Sequence, residues 1–361
     1  MQNTWRGQRT GRWTALPRAV FVGALCLLSG ACAHESRSIQ QADQRVRYYS
    51  QKVTENPRSF AAHAQLASAY LGKARATHDP AFLARARAAA AESMDIQSNY
   101  LALKTMAAIC GYSHRFAEAI DWANRAAAAD PADPEMTSMR VEAYLGLGQR
   151  DNAVALLPVT IDDARDFHTA AAWGLVCSSE GRVDDAVAAY RRAGEFARAE
   201  SAPAFEVWAL VMASGAYIDA GRVEDGQPLL DAAAEIDPTD TLLRIHRAEV
   251  AEAQGRFGDA LDAYASLLRE SDDPAIHAAA WRVARAAGDE GIAAAHFAAA
   301  ERGFKRVIDA GEVYTLEALA KLYVAAEVNL EAARDLAKRN LEFKRDASAM
   351  RAYEEAVAAR R

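Results

Sequence analysis

One phrase recurs along this chain and limits its possible folds more than any other feature. It reads HRFAEAIDWANRAAAADP at 114–131, GRVDDAVAAYRRA at 181–193, GRVEDGQPLLDAAAEIDP at 221–238 and GRFGDALDAYASLL at 255–268. In each copy a small residue (Ala119, Ala186, Gly226 or Ala260) stands nine positions after a Cys, Tyr or Ala. In the two complete copies a Pro follows twelve positions later. A unit repeated every few tens of residues cannot bury its own apolar face, so neighbours must stack into a one-dimensional array. From His34 onward the sequence has helical periodicity, abundant Ala, Leu, Glu and Arg, and no alternating β-branched run, which predicts an all-α chain. At 51% hydrophobic and 25% charged residues over 361 positions, the chain can bury a substantial core and is not of disordered composition.

The phrase resembles the tetratricopeptide repeat (TPR) family, in which a helix-turn-helix unit carries large and small residues in a frame of about 34 residues. Fitted to this chain, the frame starts near Phe60, Tyr100, Pro134, Phe167, Val207, Thr241, Pro274 and Val313. The resemblance implies a right-handed superhelical solenoid of about eight repeats over 60–346. A lone helix at 38–59 precedes it, and a capping helix at 347–361 closes it. Small residues such as Ala67, Ala107, Gly174 and Ala248 are expected to let helices approach, with Tyr70, Tyr144, Tyr217 and Tyr323 filling the space beside them. The frame places Cys110 and Cys177 at that same inner position two repeats apart, as buried thiols too distant to pair. Pro158 falls inside the second helix of the third repeat and is expected to kink or shorten it.

The N-terminus has its own logic. Basic residues end at Arg18, an apolar stretch runs from Ala19 to Leu28, and Ser29, Gly30 and Ala31 lead to Cys32. That is the layout of a signal peptide over 1–31, and the apolar stretch is shorter than the roughly 20 residues of a membrane-spanning helix. The run LSGAC resembles the lipobox of bacterial lipoproteins, which implies a diacylglycerol on Cys32 as first residue of the mature chain and a short tether over 32–37. By the same resemblance, Ala33 in place of Asp points to the outer membrane of a Gram-negative cell, on its periplasmic face. An ordinary signal peptide cut at Ala31 or Ala33, or an uncleaved anchor, is the alternative. Each buried acyl methylene stabilises attachment by about 0.8 kcal/mol.

Charge narrows the partners. Arg6, Arg9, Arg12 and Arg18 are the only charges before Cys32, so a chain starting there keeps 38 basic against 49 acidic side chains, a net charge of −11 in place of −7. That balance disfavours general binding to nucleic acid or anionic lipid. GLGQRD at Gly146 lacks the third Gly and the preceding strand of a phosphate loop, and reads as a repeat turn. No nucleophile elbow, HExxH or CxxC occurs. The eight histidines are scattered, and acidic pairs such as Asp162–Asp163, Asp184–Asp185 and Glu354–Glu355 suit exposed helix starts. No enzyme activity, cofactor, metal or small-molecule substrate is expected.

What remains is a surface. In the TPR family the first helices line a concave groove that binds peptide segments of partner proteins. Carried over residue by residue, the groove is expected to include Lys104, Glu142, Leu175, Trp208, Val211, Met212, His246, Glu249, Arg282 and Tyr314; Trp208 and Met212 could equally pack between repeats. The Lys and Asn set with which some family members clamp a C-terminal carboxylate is missing apart from Lys104. The resulting expectation is a lipid-anchored adaptor or assembly scaffold for envelope proteins. The alternatives are a regulator of, or cryptic, cell-wall or polysaccharide enzyme, and a soluble cytoplasmic scaffold.

Overall fold

The computed structural model describes residues 39–359, so Cys32, the segment before it and the last two residues lie outside the described part. Within it the chain is all-α. A lone helix α1 (Ile39–Glu55) precedes eight helix pairs: α2 (Phe60–Thr77) with α3 (Ala81–Ile96), α4 (Tyr100–Tyr112) with α5 (Phe116–Ala129), α6 (Pro134–Gly146) with α7 (Arg150–Val154), α8 (Phe167–Ser179) with α9 (Val183–Ala199), α10 (Pro203–Asp219) with α11 (Val223–Ile236), α12 (Thr241–Ala253) with α13 (Phe257–Leu268), α14 (Pro274–Ala287) with α15 (Glu290–Asp309), and α16 (Leu316–Ala326) with α17 (Leu330–Asn340). Helix α18 (Ala347–Ala358) packs across the last pair. No described helix is long and apolar enough to cross a membrane.

A local code builds each pair. Most first helices open on a side-chain cap: Ser59, Asn99, Asp133, Asp166, Asp240 and Asp273 each accept a hydrogen bond from a backbone N–H of the first turn. Pro134, Pro203 and Pro274 occupy first-turn positions where a missing N–H costs nothing. Between the helices of a pair the chain turns through a left-handed residue: Gly148, Gly181, Gly221, Gly255 or Gly288 in five pairs, His78 and His114 in the first and second, and both Glu327 and Asn329 in the eighth. The next N–H then reaches back to the helix, as Arg182 N does to Cys177 O at 2.9 Å and Arg222 N to Tyr217 O at 2.9 Å.

Packing follows the large-and-small frame. Ala67, Ala107 and Ala248 are buried, and a Cβ on Gly174 would stand 2.4 Å from the buried Tyr190 ring. Cys110 and Cys177 are free buried thiols, with burial pushing Cys110 up to about 12. Six first helices start at the framed residues. The other two do not: α10 starts at Pro203, a turn before Val207, and α16 at Leu316, three residues after Val313. Proline at the first turn lets α10 begin early. Val313 and Tyr314 are drawn into a contact described below. Helix α7 ends after five residues, ahead of Pro158, and an irregular stretch with a 3-10 turn at Ile161–Asp163 replaces its remainder.

The array comes round upon itself. His78 of the first pair approaches Asp273 at the start of the seventh, Nε2 to Oδ2 at 3.4 Å. The turn of the second pair meets 311–315, which leads into the eighth, and Gly146 of the third accepts a hydrogen bond from Arg345 N after the eighth at 2.7 Å. Each of these contacts joins units six places apart, so successive turns of the superhelix touch along a seam.

Gly174→Ala is expected to destabilise the fold by about 1–3 kcal/mol, because the new methyl must displace an enclosed ring. Urea unfolding followed by far-UV circular dichroism measures this, and Gly181→Ala, a strained turn with open space around it, separates backbone strain from crowding.

Candidate functional site

The ten residues expected to line a concave groove do not form one open surface. Trp208 and Val211 are fully enclosed, and Met212, Glu249 and Tyr314 are buried. The cause is helix α10, which is buried on nearly every side; Trp208 wedges between Phe167 and Tyr190 at ring-centroid distances of 5.6 and 5.8 Å. Apolar residues all round a helix mark a core element. The middle of the array is therefore filled by its own side chains, and those residues are corrected from groove to core.

The polar members are largely engaged between repeats. Lys104 binds Asp133 at 3.0 Å and Glu135 at 2.5 Å, joining the second pair to the third, while Tyr100 donates to the same Asp133. Arg282 holds Glu252 with two hydrogen bonds at 2.7 and 2.6 Å. His246 lies over Gly215, where a Cβ would meet it at 2.9 Å, with Glu249 at 3.7 Å. Leu175 packs, partly exposed, against the central core. Glu142 is half-buried, and burial raises its carboxyl well above the usual range although the Arg75 charge opposes this. Glu142 Oε1 is enclosed and accepts no hydrogen bond.

The seam is the more fully built site, and most of its residues were not among those expected. Arg87 of α3 grips the Glu312 carboxylate with Nη1 at 2.5 Å and Nη2 at 3.1 Å, and Nη2 also donates to Ser113 Oγ at 2.7 Å. Arg115 Nη2 donates to Gly311 O at 3.1 Å. Two residues beyond Glu312, the Tyr314 ring sits against Tyr112 at 5.1 Å and His114 at 6.4 Å, and His114 stacks on Phe116 at 5.3 Å. Ser113 is inaccessible, and only 3% of His114 and of Glu312 is exposed. A bidentate guanidinium–carboxylate pair at such depth needs this degree of satisfaction to offset its desolvation. Close by, Glu317 binds Lys321, Lys344 and Ser348 at 2.5, 2.8 and 2.6 Å; burial opposes its charge, but the two ammonium groups hold the carboxyl well below its usual range.

Three of the turn residues at the seam explain why the recurring glycine is absent or essential there. His78 and His114 take φ of 52° and 56°, a conformation that favours glycine over most residues with a side chain, and both use the side chain to reach the opposite face. At Gly148 a Cβ would stand 2.7 Å from Arg345 O, so only glycine admits the contact.

The model of the tetratricopeptide repeat family matches residues 217–281, from the end of α10 into α14. That stretch carries tetratricopeptide repeats. The fold of the chain is similar to that of YrrB, a TPR protein with an unusual peptide-binding site (18% identity, 54% of this chain and 95% of that one, TM-score 0.33). It is also similar to pilF of Pseudomonas aeruginosa (11% identity, 52% and 83%, TM-score 0.39) and to the human IFIT1 dimer with m7Gppp-AAAA (15% identity, 94% and 86%, TM-score 0.45). No curated protein matches the sequence. The TPR fold is one suited to binding other proteins.

His114 makes the seam sensitive to acid. Burial lowers its imidazole from 6.5 to about 3, with Lys344 adding to the shift and Glu317 opposing it, and neither ring nitrogen has a hydrogen-bond partner. The unfolded chain thus takes up a proton that the folded chain refuses. The stability associated with neutral His114 is full above pH 6.5 and is lost as pH falls toward 3. Between pH 6.5 and 5 the loss is expected to be about 1.5 kcal/mol. His114→Asn, which tolerates the left-handed turn and does not titrate, should remove that slope in denaturation curves taken across this window.

Proposed function

We propose that this protein is a lipid-anchored TPR scaffold of the bacterial cell envelope that binds protein partners. The observation that carries the scaffold reading is the seam, where Arg87, Ser113, Arg115 and an aromatic cradle hold an irregular stretch of polypeptide, Gly311 to Thr315. A surface that recognises one loop by a carboxylate, a backbone carbonyl and an aromatic ring has the means of protein recognition. The tether rests on the sequence alone: Cys32 follows Leu28, Ser29, Gly30 and Ala31, and an apolar stretch too short to span a bilayer precedes them. Diacylation at Cys32 would hold the array at the membrane surface and leave its helices in the aqueous compartment.

The reading is tested by expressing the full chain and its Cys32→Ser variant in a Gram-negative host with an alkyne-tagged palmitate. Label and outer-membrane fractionation are expected for the natural residue, and loss of both for the variant. Equal labelling, or equal membrane association, of the two forms would overturn the anchor. Photo-crosslinking from an exposed position such as Arg191 then tests partner binding apart from the anchor.

A further inference from the structure

The seam has the anatomy of a peptide site already filled from within the chain. One face belongs to the first two repeats: Arg87 projects from the long helix α3, Ser113 fixes the guanidinium at 2.7 Å, and the Gly111–Phe116 turn supplies Tyr112, His114 and Arg115. The other face is five residues of a connecting loop between α15 and α16, Gly311 to Thr315, non-helical but tied to its flanking helices by Glu312 N to Val307 O at 3.2 Å and Leu316 N to Val313 O at 3.1 Å. Its contacts come from three chemically distinct groups in sequence order: a backbone carbonyl at Gly311, a carboxylate at Glu312 and an aromatic ring at Tyr314. No helix of the first two repeats packs along a helix of the last, so loop and side chains make most of this contact.

We propose that the edge formed by Arg87, Ser113, Arg115, Tyr112 and His114 is a recognition site for an acidic-aromatic loop of a partner protein, and that 311–315 is its competitor in cis. The partner motif is a carboxylate followed two residues later by an aromatic side chain, presented in a non-helical segment. The inference rests on the scaffold reading above and gives it a partner chemistry. Glu312 matches the bidentate fork of Arg87, and the aromatic anchor desolvates the pair. A site occupied in cis binds its partner with an apparent affinity reduced by the fraction of molecules in which it is open, so the partner must supply enough contact to displace the loop.

The probe is the hexapeptide Ala-Gly-Glu-Val-Tyr-Thr, identical to 310–315, with a fluorophore at its N-terminus. The full chain carrying Glu312→Lys and Tyr314→Ala, which vacates the site from its own side, is expected to bind the peptide at least tenfold more tightly than the unaltered chain does. Replacing Glu by Gln in the peptide, or adding Arg87→Ala to the protein, should weaken binding at least tenfold. Should the double variant lose its helical circular dichroism, Glu312→Gln, neutral and isosteric, is used in its place. A folded variant that binds the hexapeptide no better than the unaltered chain does, or no better than it binds the Gln peptide, would overturn the site. That result would leave the scaffold reading to its own crosslinking test.

Discussion

The structure depends on how closely the two helices of a repeat can approach. At Gly174 the absence of a side chain lets the Tyr190 ring fill the space that a methyl would take, and between neighbouring repeats the Phe116 ring does the same at Gly146. Alanine at the equivalent places elsewhere permits nearly the same separation, so each pair presents a flat apolar flank to the next. The curvature of the array accumulates from that repeated geometry. In the middle it is tight enough to enclose α10 on nearly all sides, which turns the residues of an expected groove into core.

Closure adds a second kind of contact. A repeat array normally gains its stability from nearest neighbours, each interface independent of distant ones. Here the seam joins units six apart through a guanidinium–carboxylate pair, an arginine bonded to a backbone carbonyl, and the Tyr314 ring set against Tyr112 and His114. Polar contacts of this kind are specific in register, because a displacement by one residue would leave buried charge unpaired. Apolar surfaces would tolerate such slippage.

Much of this was legible from residues alone. The spacing of Ala119, Ala186 and Ala260 from the preceding turn located the helix pairs, and six of the eight first helices begin where the frame starts. Pro158 signalled the shortened seventh helix. A one-dimensional frame specifies which helix face looks inward but not how sharply successive units rotate, so the residues alone left open whether Trp208 and Met212 line a groove or pack between repeats; the structure buries both, and Val211 with them. The seam was invisible for a related reason: Arg87 and Glu312 are separated by 225 positions. One sign of it did stand in the sequence, since His78 and His114 occupy turn positions that are glycine in five other repeats. A residue that accepts backbone strain there has a contact to make with its side chain.

The separation of Arg87 and Glu312 also bears on the order in which this chain acquires structure. Closing a flexible loop of that length would cost about 5 kcal/mol in chain entropy beyond the length-independent part. An array whose helices have already stacked has lost that freedom through short-range contacts, each closed within a few tens of residues. The two faces of the seam then arrive nearly aligned. Nucleation is thus local, and the ends meet last, as a consequence of curvature already in place.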